Sequence, residues 1–196
     1  MCTKISDRLT KKLSSIKNGN YTQSDFIIAD AKDADMGGGI NGLGFKVDKN
    51  GNKKAKTAAE YRASMIEMME ADLVDIMLTS MWSADELTAQ KAFDNRDITA
   101  AVRLNDATDI WGFRGANYRE FPAEPFRTAR LKKARELCEL GLYAITFYNN
   151  QKIDTAMLNA YCDFREEANK FGMLHFLEVF NPAFDIDTAN TNLGTF

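Results

Sequence analysis

The chain has 196 residues, 45% hydrophobic and 27% charged, with a formal net charge of −3. That is the length of one globular module able to bury a sizeable core, and its acidic balance excludes the basic field that nucleic acid would need. No stretch approaches the roughly 20 apolar residues of a membrane-spanning helix, and "MCTKISDRLTKKL" lacks the apolar centre of a signal peptide. A single cytoplasmic domain over residues 1–196 is expected.

In chain order, Ile5, Leu9, Leu13 and Ile16 stripe a leading helix over residues 4–18. From residue 25 onward, five short apolar runs read as buried strands: "FIIAD" (26–30), "LVDIMLT" (73–79), "ITAAVRL" (98–104), "LYAITFY" (142–148) and "LHFLEVF" (174–180). They are nearly continuous rather than alternating, as a parallel sheet covered on both faces requires. Between them lie helical stripes: Tyr61, Met65, Met68 and Met69; a short helix over 84–93; Leu131, Ala134, Leu137 and Cys138; then Ile153 to Ala168. The pattern is α/β with right-handed crossovers. Two long polar segments, after the first and third strands, are read as βα loops, the face where such proteins place their sites.

Gly37, Gly39 and Gly42 satisfy the G-x-G-x-x-G spacing, but six residues separate the strand from the first glycine and a lysine-rich loop follows, so a dinucleotide site is rejected. "DKNGN" (48–52) is read as a turn. Cys138 and Cys162 fall in helical patterns and are read as buried thiols. With Cys2 they form no CxxC. The single histidine, His175, begins the fifth strand and is structural, which leaves no Ser-His or Cys-His pair and no histidine-based zinc site.

Charged residues at strand ends carry the chemistry. Asp30 and Glu178 are expected at the mouth of the sheet. Glu178 lies in "HFLEVFN", and burying an acid there disfavours its charged form, which suits a general acid or base. Lys32, flanked by Asp30, Asp33 and Asp35, is held charged and has an electrostatic role. Arg103 presents a planar fork for phosphate or carboxylate, with Asn105 and Asp106 continuing its edge. Thr146, Tyr148, Asn149 and Asn181 complete a substrate-binding rim. No cofactor and no metal is assigned, although Asp30, Asp33 and Glu178 form a rival oxygen set for a divalent ion.

"FIIADAKDA" and "HFLEVFNP" resemble the first- and fifth-strand segments of the class I aldolases of the tagatose-bisphosphate and bacterial fructose-bisphosphate type, related to the deoxyribose-phosphate aldolases. The resemblance implies a (β/α)₈ barrel. It also implies a lyase of carbohydrate metabolism that forms a Schiff base on a sixth-strand lysine, with Asp30 and Glu178 handling protons on a small sugar or keto compound, phosphorylated or not. The fourth strand, "LYAITFYNN", lacks the lysine that the tagatose enzymes carry, and the chain stops after "EVFNPAFDIDTANTNLGTF". It is therefore read as the N-terminal part of a barrel, five of eight strands, incomplete or inactive alone, with open edges that favour self-association. The rivals are a flavodoxin-like open sheet with a ligand at its switch point, and a metal-assisted lyase.

Overall fold

The computed structural model describes residues 2–36, 42–107, 125–148 and 150–180. Helix α1 (Asp7–Lys17) begins where the Ser6 hydroxyl accepts the Leu9 N–H, one of the donors that a helix start leaves unpaired. Strand β1 (Ala29–Lys32) follows, then a hairpin, β2 (Phe45–Val47) and β3 (Lys53–Ala55). Helix α2 (Ala58–Glu70) opens on a reciprocal Thr57–Glu60 capping box. Beyond it come β4 (Ile76–Thr79), α3 (Met81–Ala89), β5 (Thr99–Arg103) and a short antiparallel pair, β6 (Asp106–Ala107) with β7 (Pro125–Phe126). Then come α4 (Leu131–Leu137), β8 (Leu140–Thr146), α5 (Gln151–Phe171) and β9 (Leu174–Phe180). Gly172 ends α5 in the left-handed conformation, φ 63°, which glycine adopts without steric cost.

Five strands form one parallel sheet in the order β1-β4-β5-β8-β9. Each strand pairs with the next in the chain, so the order never reverses. A flavodoxin-like sheet needs that reversal to make its switch point, and this corrects the rival open-sheet reading. The sheet is a curled half-barrel flanked by helices.

Register divides the side chains between two faces. Met77, Ala100, Val102, Tyr143 and Ile145 join the larger core with α2 to α5 on the convex side, where Phe164 is fully buried. Ile76, Leu78, Ala101, Leu140 and Leu142 line the concave side, where Leu9 of α1 covers the foot. Asp75, 2% exposed, locks that foot: it pairs with Arg8 (3.2 Å) and Lys12 (2.8 Å) and accepts the Ile28 N–H (2.8 Å).

Several expectations shift. The first strand starts at Ala29, and Phe26 in the apolar run before it is 73% exposed. The loop after it contains the β2–β3 hairpin, in which Asp48 accepts the Asn50 and Asn52 N–H groups and so holds the expected turn. Cys138 is buried, and burial pushes its thiol up to about 12. Cys162, however, is exposed, because α5 turns that position to solvent. His175 packs its ring edge-on to Phe164 and meets the Tyr161 hydroxyl at 3.0 Å. No described helix is long and apolar enough to cross a membrane.

Candidate functional site

The parity of each strand decides which charged groups meet at the mouth. Arg103 is in register with Leu142 on the concave face, and Glu178 with Ala144, one same-face step nearer the mouth. Asp33, just past β1, comes over the strand end to receive Arg103 Nη1 at 3.1 Å. Strand β4 lies between their two strands, a gap of roughly 10 Å in a flat sheet. Arg103 Nε donates to the Asn105 carbonyl at 2.9 Å, fixing the plane of the guanidinium.

Burial raises the Glu178 pKa above the ordinary glutamate value, Arg103 opposes the rise, and Asp33 adds to it. Glu178 and Asp33 belong to opposite edges of the sheet, four strand spacings or roughly 19 Å apart if it were flat. That these charges act on each other follows from the curl. The mouth therefore presents two carboxylates around one guanidinium, with one carboxylate poised to hold a proton nearer neutrality.

Asp30 and Lys32 lie on the face away from the trough. Asp30 pairs in register with Met77 and Lys32 with Thr79, on the convex side, while Ala29 and Ala31 face the trough. Lys32 Nζ meets Asp30 Oδ1 at 2.6 Å, while Asp30 Oδ2 is buried with no partner among the described residues. The rival metal set of Asp30, Asp33 and Glu178 is thus divided by the sheet, and among the described residues no three potential ligands converge.

Asn105, 1% exposed, is tied into the scaffold. Its Nδ2 donates to the Ala144 carbonyl and its Oδ1 accepts the Ala144 N–H, both at 2.8 Å, extending the β5–β8 ladder by one side chain. Asp106 accepts from the Thr128 N–H (2.7 Å) and hydroxyl (2.8 Å), clamping the β6–β7 pair. The Tyr148 ring belongs to the convex core. Thr146 keeps a concave, half-buried position in register with Phe180. Asn149 and Asn181 lie outside the described residues.

The sequence points to Asp33 only as a rival metal ligand, and nothing in its pattern singles out Trp82, Arg130 or Lys133. The alternation in "ADAK" was the available signal for Asp33: two alanines on one face and an acid–lysine pair on the other identify Asp30 and Lys32 as partners. Asp35 accepts from the Ser80 (2.7 Å) and Ser83 (2.6 Å) hydroxyls, tying the turn after β1 to the start of α3.

No protein-family model and no curated protein matches the sequence. Among solved structures, the chain is similar to Cgl0159 from Corynebacterium glutamicum, with a TM-score of 0.54 and 17% identity over 90% of this chain. At that identity the likeness is one of fold. This chain spans 62% of the length of Cgl0159.

Proposed function

We propose that the chain is the N-terminal part of an aldolase-like (β/α)₈ barrel, a carbon–carbon lyase acting on a small phosphorylated carbonyl compound. The observation that carries the reading is Glu178, a half-buried acid with a raised pKa, on the concave mouth beside Arg103 and Asp33. Breaking a carbon–carbon bond next to a carbonyl moves an electron pair toward the carbonyl oxygen while a base takes the proton of the cleaved carbon's hydroxyl. Glu178 suits the proton step, and Arg103 suits the charge growing on oxygen. Consecutive strand order and a curled sheet are what the first five strands of such a barrel require. The amine nucleophile is not Lys32, whose ammonium is bound to Asp30 on the other face, so these strands supply the proton-handling part of the site.

The test is a partial reaction. Dihydroxyacetone phosphate is incubated in D₂O with the chain, and deuterium at its α-carbon is followed by NMR. Exchange is expected to fall about 10²-fold or more in Glu178→Gln. Absence of exchange in the unmodified chain, or exchange indifferent to Glu178→Gln, sinks the reading.

A further inference from the structure

A cavity of about 470 Å³ runs over the C-terminal ends of β4 and β5 toward α4. That is the size range of small-molecule sites. Met36, Met81 and Phe126 give it an apolar lining. Trp82 adds an aromatic wall: its side chain is half exposed, and the Arg62 guanidinium sits 4.8 Å from its ring centroid.

The charges of this cleft are unequally engaged. Asp35 Oδ2 accepts two serine hydroxyls and Asp106 Oδ2 accepts the Thr128 N–H and hydroxyl, while Asp35 Oδ1 has no partner among the described residues. On the opposite wall Arg130 is exposed and its guanidinium pairs with no described residue, and Lys133 makes only a surface ion pair with Glu136. Exposed pairs of that kind hold their partners weakly. Arg103 also lines the cleft and is the same side chain that reaches Asp33 at the mouth. Three cations, Arg103, Arg130 and Lys133, line the cleft against two carboxylates, and the two at the start of α4 are available to an entering anion.

We infer that this cleft binds the phosphoester end of a small polyol phosphate. Arg130 and Lys133 take the phosphate, Arg130 through its planar donor fork. The Trp82 ring packs against the carbon face of the polyol, and Arg103 sets the direction of the ligand toward Glu178. The inference rests on the lyase reading above for the phosphorylated character of the substrate, but its binding step stands apart from the chemistry.

Trp82 supplies the test. The chain has two tryptophans, so in a Trp111→Phe background the fluorescence reports on Trp82, and the indole N–H resonances of the unmodified chain give the same readout without substitution. Glycerol 3-phosphate, inorganic phosphate and glycerol are titrated in turn. A saturable change with glycerol 3-phosphate, weaker by tenfold or more with inorganic phosphate and absent with glycerol, is the expected result. In Arg130→Gln/Lys133→Gln the affinity should drop by at least tenfold with the melting temperature unchanged. No saturable response, an unaltered response in the double variant, or phosphate binding as tightly as its ester each overturns the inference. If titration succeeds while deuterium exchange is absent, the lyase reading falls and the cleft remains. If exchange proceeds with an unchanged KM in the double variant, the cleft falls and the lyase reading remains.

Discussion

Arg103 Nη1 contacts Asp33 Oδ2 at 3.1 Å across the intervening strand β4, joining the end of edge strand β1 to the central strand β5. The pair sets the electrostatics of Glu178, because one member stabilises its carboxylate and the other opposes it.

These opposed influences predict opposite responses. Arg103→Met should push the Glu178 pKa further up, and Asp33→Asn should bring it down, as followed by the carboxyl ¹³C shift across a pH titration. Shifts in the same direction for both variants would mean that Glu178 answers to burial alone.

The raised pKa also fixes a sign for stability. The folded state holds the Glu178 proton more tightly than the unfolded chain, so between the ordinary glutamate value and the raised one, folding stability falls as pH rises. His175 acts in the other direction: burial lowers its pKa, and its contribution is lost as pH falls through the ordinary histidine range toward that lowered value. Urea denaturation of Glu178→Gln against the unmodified chain isolates the first effect. The variant should lose the downward slope above the glutamate range, and an unchanged slope refutes the assignment.

Asn105 separates scaffold from site. Asn105→Leu removes two buried hydrogen bonds and leaves the Ala144 N–H and carbonyl unpaired, a loss of about 2–4 kcal/mol. Denaturant midpoints should fall accordingly, and a variant of unchanged stability would return Asn105 to the list of ligand contacts.

Among the described residues β9 is an edge strand, and it carries exposed Leu174, Leu177, Val179 and Phe180. Such an edge recruits other chains, and a lysine on it opposes this. Val179→Lys should reduce concentration-dependent association in analytical ultracentrifugation without lowering the melting temperature. Equal association in both forms would place the contact elsewhere.

Much of this architecture is legible in one dimension. The apolar run of "LHFLEVF" coincides with β9 although four of its apolar side chains are exposed, and the stripe from Ile153 to Ala168 falls within α5, where burial of a helix face is written directly as residue type. Glu178 is equally legible, as an acid inside an apolar run. The β2–β3 hairpin is not, since its three-residue strands are exposed throughout apart from Ala55, and no hydrophobic period marks them.

What the sequence by itself determined is thus the alternation of strands and helices, the ends of the strands at which charged groups gather, and the turn at Asp48. Only the tertiary structure decided which charged groups share a face. A shift of one residue along a strand reverses every side chain, and the neighbours of β1 set that parity: Asp30 went to Lys32 beneath α2, and Asp33 went to Arg103 in the trough. Curl was the other tertiary decision. Only a sheet bent along its width brings a charge at the β1 edge within reach of Glu178 on β9, and no local pattern of residues records that bend.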